Sequence, residues 1–501
     1  MAAKSMIIVG GGLAGLSTGC YAQMNGYRTR IFEHAAHAGG LAVAWRRRDY
    51  LIDGGIHFLM GRRPDDILQK VYRELGTARQ DQLIPMGVYG RCVDQRTGRE
   101  LDITKDMGKL EGDLRVMFPQ DLKVIDELFS GLRSLQNVPM SDMMLTEPSE
   151  VLTLVQRLRQ FWRYRKLFKF MMGKYSRPMS EFSSRAKDPL LKFILLNMFL
   201  PEVPAWFVLM VLRMLEDDEM AFIDGGCEAF VMPIVKRYTD LGGEISYEST
   251  VESILVEDGR AVGVRVGDGT EHRANIVVSA ADGHGTLYDL LEGRFINDKI
   301  RKRYDTWKIV RPIVMVSFGV AREFKGEPPF KTFRLEEPFV VGPDKVEAFS
   351  IRVLNYSDKF APPGKTVVQA MFDSDWDFWE GLREDPPRYA SEKERVASEI
   401  LKRLEKHYPG SASQVEVTDV ATPFTTWRYT LNWKGSYMGW SPTAKVLMSK
   451  MEISLPKLSN FYMVGQWATP GGGVPSSLIS GRNLVQVLCH RERRPFKTTE
   501  A

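Results

Sequence analysis

The first 33 residues commit the chain to a strand–helix–strand unit closed by a glycine-rich turn. Ser5 to Val9 is a short apolar run, and Gly10-Gly11-Gly12-Leu13-Ala14-Gly15 follows at once. A helical pattern of Leu13, Leu16, Tyr21 and Met24 then runs to Asn25-Gly26, and a second strand, Thr29 to Phe32, ends in Glu33. The glycines differ in what they make possible. Gly10 permits the tight turn, Gly12 lets a pyrophosphate approach the backbone, and Gly15 lets helix and strand pack closely. The helix start offers free N–H groups and a positive dipole end to phosphate. Glu33 lies 18 residues past Gly15, where a carboxylate accepts hydrogen bonds from both ribose hydroxyls. A glycine motif alone is weak; the strand before, the helix after and the acid at this distance make it a dinucleotide site. Contacts are expected from Gly10, Gly12, Ala14, Gly15 and Glu33.

Composition narrows the rest. At roughly 100–200 residues per domain, a chain of 501 residues holds two or three domains or one interleaved pair. Lys+Arg 68 against Asp+Glu 63 leaves a net charge of +5, spread along the chain, which makes no case for nucleic acid. Hydrophobic residues at 44% and charged residues at 26% exclude disorder, collagen and coiled coil. The 4 cysteines are scattered and none has CxxC spacing, and the 7 histidines show no ligand spacing, so neither a disulfide framework nor a metal is expected. The N-terminus enters a strand within six residues, leaving no room for a signal peptide, so a reducing, cytoplasmic setting is the default expectation. The cleanest apolar piece, Ala205 to Leu212, falls far short of the ~20 residues a membrane span needs.

The segment after Glu33 says which dinucleotide. Gly39-Gly40-Leu41-Ala42 forms a second glycine turn, and Trp45 to His57 contains Asp53-Gly54-Gly55. This run resembles the flavin-dependent amine oxidase and phytoene desaturase superfamily, where the ribose-binding Glu precedes a Gly-Gly turn beside the FAD phosphates and a hairpin ending in Asp-x-Gly. A second block runs from Gly242-Gly243-Glu244 through Val251 to Asn275–Asp282, and alternation with an Asp268-Gly269 turn reads as a β-meander returning to a parallel sheet. A third block is Phe461 to Gly465, then Pro470-Gly-Gly-Gly473-Val474-Pro475, with a helix expected from about Pro475. The Pro-Gly-Gly-Gly-Val-Pro run is similar to the phytoene desaturase, carotenoid isomerase and retinol saturase branch, although Ser476 and Ser477 depart from its small-residue pattern. The resemblance implies an α/β fold, a Rossmann-like FAD-binding domain of glutathione-reductase type with a discontinuous α+β substrate domain. It implies FAD contacts at Gly39, Gly40, Leu41, Gly465, Val474 and Pro475, with backbone at Val251 holding adenine.

The three blocks leave two inserts. The expected boundaries are 1–75, 220–294 and 441–501 for the FAD domain, and 76–219 with 295–440 for the substrate domain. The first insert reads as mostly helical, around Leu110–Leu135 and Leu190–Met220, and the second as strands at Ile313–Val320, Ala348–Leu354 and Thr366–Phe372. Between Val155 and Lys174 lie seven basic residues and no acidic one. Leu158, Phe161, Trp162, Phe168 and Met172 share a helical face there, with Arg165 and Lys169 in the same stripe. The pattern fits a helix lying peripherally on a membrane, or a solvated basic helix whose long side chains cover its apolar residues.

In such an enzyme the flavin carries the redox chemistry, by hydride transfer to or from its N5, and the protein positions the substrate. His57 is the histidine inside a flavin-proximal motif, a candidate for proton transfer or for holding the hairpin. Tyr437 and Trp440 belong either against the flavin ring or in an aromatic core under a loop, and Lys308 is the residue to inspect for an amine oxidase. With one complete dinucleotide motif and no second unit for a nicotinamide, electrons leave to oxygen, a quinone or another acceptor, or return to substrate. The expected activity is desaturation of an apolar lipid or isoprenoid. Saturation or cis–trans isomerisation, amine oxidation and non-catalytic lipid binding are the alternatives.

Overall fold

A computed structural model describes residues 3–136, 138, 147–449 and 451–501. Its first sheet is fully parallel, in the order Glu244–Ser246, Arg28–Phe32, Ser5–Val9, Ile276–Ser279, Phe461–Met463. All three blocks contribute strands to it. Successive side chains of a strand point to opposite faces, and here each face has its own core. Ile8, Ile31 and Val278 point to the helices Leu13–Met24, Gly226–Asp240 and Gly473–Arg491. Ile7, Val9, Phe32 and Val277 point to the antiparallel meander of Val251–Glu257, Arg260–Val266 and Glu271–Arg273. A sheet buried on both faces explains the unbroken apolar run Met6–Val9.

The second sheet has seven strands, in the order Val415–Ala421, Ile313–Val320, Thr366–Asp373, Asp344–Val353, Phe330–Val341, Val88–Asp94, Glu100–Thr104. Helix Pro386–His407 covers one face through Val396, Ile400 and Leu404. The other face meets the hairpin Ala44–Arg47/Tyr50–Asp53 through Met315, Val367 and Met371. Two features lie outside the sequence expectations. The mostly helical first insert also supplies the hairpin Val88–Asp94/Glu100–Thr104 at the sheet edge. The 12-residue strand Phe330–Val341 also escapes a period-two reading, because its register with Asp344–Val353 breaks between Arg334 and Phe339. The rest of the first insert forms a helical lobe that includes Met107–Met117, Leu122–Ser134, Pro189–Asn197 and Ala205–Glu216 around one core.

One buried ion pair joins these parts. Asp53 ends the hairpin and Arg352 sits in strand Asp344–Val353; their side chains are 0% and 1% exposed, with Arg352 Nη1 3.5 Å from Asp53 Oδ1. The same guanidinium nitrogen donates to the Asp53 carbonyl at 3.1 Å and to Gln369 Oε1 at 3.0 Å. Asp53 Oδ2 accepts the Cys227 N–H at 2.7 Å, at the start of helix Gly226–Asp240. Gly226, at φ +58°, has to be glycine, since an added Cβ overlaps the Asp53 carboxylate. Breaking one partner of a buried pair strands the other charge, which costs about 3–5 kcal/mol. Arg352→Leu is therefore expected to lower the thermal unfolding midpoint strongly, and Asp53→Asn/Arg352→Leu to recover part of the loss; differential scanning calorimetry of both checks this.

Candidate functional site

The cofactor frame lies at the carboxyl ends of the parallel strands, where α/β sheets place their ligands. Gly10 follows strand Ser5–Val9 at φ +98°, and helix Leu13–Met24 begins with Gly12 as an N-cap that has no side chain to satisfy the free N–H groups. Helix Gly473–Arg491 begins in the same way, capped by Gly472 with no side-chain bond. It starts at Gly473 rather than Pro475, on the last of three consecutive positive-φ glycines, Gly471, Gly472 and Gly473. The two helices touch backbone to backbone: a Cβ on Gly481 lies 2.6 Å from the Thr18 nitrogen, and the Ser17 hydroxyl donates to the Leu478 carbonyl at 2.6 Å. Two uncapped positive helix ends therefore serve one region.

The remaining expected contacts gather there. Gly39 pairs with Gly12 as an isolated parallel bridge and donates its N–H to the Gly11 carbonyl at 3.0 Å. An added Cβ on Gly40 lies 3.2 Å from the Gly12 Cα, and one on Gly465 lies 3.3 Å from Ala14 Cβ. Leu41 is half-buried beside Gly55, and Val474 is buried at the start of the last helix with Pro475 half-buried behind it. Glu33 is buried and accepts the N–H groups of Gly11 at 2.6 Å and Ala35 at 2.8 Å. Burial pushes its carboxyl up, and those two donors pull it back. Val251 opens its strand one residue after Thr250, whose hydroxyl meets His34 Nδ1 at 2.7 Å; the neighbouring Ser249 N–H reaches the Glu33 carbonyl at 2.8 Å. His37 is exposed.

Fit to a dinucleotide is tested by what each glycine faces. An added Cβ on Gly15 runs into the Gly10 carbonyl oxygen, so this glycine is required by the fold itself. An added Cβ on Gly12 meets nothing nearer than 3.8 Å. Among the described residues nothing demands glycine at position 12, and the open space in front of it fits the close approach of a pyrophosphate.

Next to the frame is an apolar wall. His57 is half-buried and follows Ile56, whose N–H meets Cys227 Sγ at 3.0 Å. Its ring lies 5.9 Å from that of Phe330, Phe330 lies 6.0 Å from Phe222, and Phe222 stacks on Tyr356 at 4.5 Å. Burial and the neighbouring Arg352 charge push His57 down to about 3, so its ring is neutral at physiological pH. Trp440 is core: it is 1% exposed and packs on Tyr304 at 4.8 Å and Trp467 at 5.3 Å. Tyr437 is half-buried. Lys308 is exposed and lies past the end of helix Asp298–Thr306, outside any strand.

Sequence reasoning missed Arg352 and Asp282. Asp282 accepts N–H groups of Gly285 at 2.7 Å and Trp433 at 2.9 Å, and burial pushes it up to about 7. It ties the 432–440 loop to the end of strand Ile276–Ser279. Glycines 225 and 226 ahead of a helical pattern were the available signal for the Asp53 end of the ion pair; nothing local marks Arg352.

The two glycines should separate under substitution. Gly12→Val is expected to fold, with unchanged far-ultraviolet circular dichroism, yet to retain less than roughly a tenth of its flavin absorbance. Gly15→Ala is expected to lower the unfolding midpoint of the cofactor-free protein as well. Flavin-to-protein absorbance ratios and thermal melts of both variants decide it.

The sequence profile of the family described as flavin containing amine oxidoreductase matches residues 13–489. The chain is 26% identical over 503 residues to the chloroplastic prolycopene isomerase of Arabidopsis thaliana, covering 95% of this chain and 81% of that protein. It is 23% identical over 517 residues to the lycopene-forming phytoene desaturase of Pseudescherichia vulneris, covering 97% of this chain and 99% of that one. Among solved structures, an oxidoreductase from Methanosarcina mazei superposes with a TM-score of 0.61 at 16% identity, covering 96% of this chain and 100% of that one. Cyclohexylamine oxidase from Brevibacterium oxydans superposes with a TM-score of 0.58 at 13% identity, covering 98% and 100%. The chain belongs to the flavin-containing amine oxidoreductase family, and it is an FAD-dependent oxidoreductase.

Proposed function

We propose that the protein oxidises C–C to C=C bonds of an apolar, carotenoid-like polyene, with isomerisation of such a polyene as the second reading. The observation that carries this is the apolar wall of His57, Phe222, Phe330 and Tyr356 beside the cofactor frame. The names of the prolycopene isomerase and phytoene desaturase relatives support it. FAD, when bound, supplies the two-electron chemistry.

This chain's residues do the rest. Gly10, Gly12, Ala14 and Gly15, with Gly39, Gly40 and Leu41, hold the pyrophosphate; Glu33 holds the ribose and backbone at Val251 the adenine. Gly465, Val474 and Pro475 present the second helix start to the flavin end. Phe330 and Tyr356 exclude water and orient a hydrocarbon by contact alone. His57, kept neutral by burial and by Arg352, is neither an imidazolium acid nor a strong base near neutral pH; it positions the chain of the substrate against the frame. We further propose that the substrate is met at a membrane surface and that electrons pass to an acceptor outside the chain. An amine substrate finds less support, since Lys308 faces solvent.

Anaerobic mixing of the holoprotein with a detergent-dispersed acyclic polyene tests the reading. Bleaching of the flavin band with a product lighter by H2 means desaturation, and a product of equal mass with a shifted polyene spectrum means isomerisation. Peroxide release with amines and no polyene product removes the proposal. A positioning His57 predicts that His57→Gln slows turnover by less than roughly 100-fold, the lower end of what general acid–base catalysis supplies. The pH–rate profile between pH 5 and 9 should keep its shape, because a group depressed to about 3 completes its titration below that window.

A further inference from the structure

Helix Leu154–Met171 carries two apolar faces, and the protein uses one. Leu167 and Met171 are buried, with Gln160 and Tyr164 half-buried above them, so this side packs on the helical lobe. Leu154, Val155, Leu158, Phe161, Trp162 and Met172 are 58–76% exposed. Leu154, Leu158, Phe161, Trp162, Arg165, Lys169 and Met172 follow i, i+4, i+7, i+8 spacing, which is one stripe of an α-helix. From Leu154 to Arg159 every residue is exposed, so the first turns project from the body. Among the described residues nothing buries this apolar stripe, and the long side chains beside it leave it more than half exposed.

The charges around the stripe identify what covers it. Arg157, Arg159, Arg163, Arg165, Lys166 and Lys169 are on this helix, and no acidic residue occurs between Val155 and Lys174. The Arg165 guanidinium carbon lies 5.1 Å from the centre of the Trp162 ring, and its Nη1 donates to the Trp162 carbonyl at 2.6 Å. A protein partner of ordinary composition presents both charge signs; an anionic bilayer presents one sign over an apolar interior. A helix with aromatic and aliphatic residues on one side and basic residues beside them lies in such an interface, with arginine and lysine stems reaching back to the headgroups.

We propose that helix Leu154–Met171 docks the enzyme on an anionic lipid surface, with Leu158, Phe161 and Trp162 inserted among the acyl chains and Arg159, Arg163 and Lys166 on the headgroups. This names the surface at which the proposed apolar substrate is collected, and it rests on that reading only for the substrate. The stripe inserts edge-on, since no described helix is long and apolar enough to cross a membrane.

Flotation of the full-length holoprotein with phosphatidylcholine vesicles, with and without phosphatidylglycerol, tests the docking. Binding to the anionic vesicles is expected, weakening as salt screens the basic residues. Leu158→Ser/Trp162→Ser and, separately, Arg159→Gln/Arg163→Gln/Lys166→Gln should each reduce the bound fraction at least tenfold, with flavin absorbance per protein unchanged. Brominated lipid should quench wild-type tryptophan emission more than that of Trp162→Phe. The docking is overturned if wild type stays unbound at low salt, if the variants bind as wild type does, or if wild type is a dimer that Leu158→Ser/Trp162→Ser converts to monomer. Vesicle binding without turnover of dispersed polyene removes the substrate reading and leaves the docking face. Turnover without vesicle binding does the reverse.

Discussion

The carboxylate of Asp53 and the guanidinium of Arg352 meet where neither reaches water, and three parts of the molecule are anchored to that meeting. Desolvating two charges is costly, and their attraction offsets the cost only when remaining polar atoms find partners. Here the N–H of Cys227, the amide of Gln369 and the carbonyl of Asp53 supply most of them, while the Arg352 Nε–H is buried without a partner. The hairpin after the second glycine turn, the helix from Gly226 and the seven-stranded sheet are thereby set relative to one another. His57 lies four residues past Asp53, so the same hairpin places it, and the Arg352 charge adds to the burial that keeps its ring neutral. Structural anchoring and local electrostatics are one arrangement.

The nucleotide frame works on a different principle. It is built from backbone groups and helix ends, which do not swing as side chains do. Two helices with no side chain at their N-caps leave unpaired N–H groups, a cost the fold tolerates where an anion completes them. Glu33 is the exception, a buried carboxylate at the end of its strand, held meanwhile by the amides of Gly11 and Ala35.

Where function lies close in sequence, the sequence is readable. Gly10 to Glu33 shows its strand, helix and acid in order because the whole unit is local, and the parallel sheet follows from apolar runs at Met6–Val9 and Ile276–Val278. Arg352 is not readable, because its meaning comes from a partner 299 residues away. Strand Phe330–Val341 is hidden by the register break that interrupts its alternation. The basic helix shows a different limit: its apolar residues are visible in the sequence on both sides of the helix, but only packing tells which side is spent. Trp440 illustrates the same point, an aromatic near a flavin motif that turns out to support the loop from behind.

The contact between helices Leu13–Met24 and Gly473–Arg491 has a consequence for biosynthesis. One wall of the cofactor frame comes from residues 10–15 and the other from residues 465–481, so the long stretch between them has to leave the ribosome before the two walls can meet. Until then strand Ile276–Ser279 lacks its Phe461–Met463 neighbour and presents an open parallel edge. Long-range pairing of this kind forms slowly. The nascent protein therefore passes through an extended period as a half-built nucleotide fold, when shielding of that edge by a chaperone matters most and when FAD has no complete site to enter.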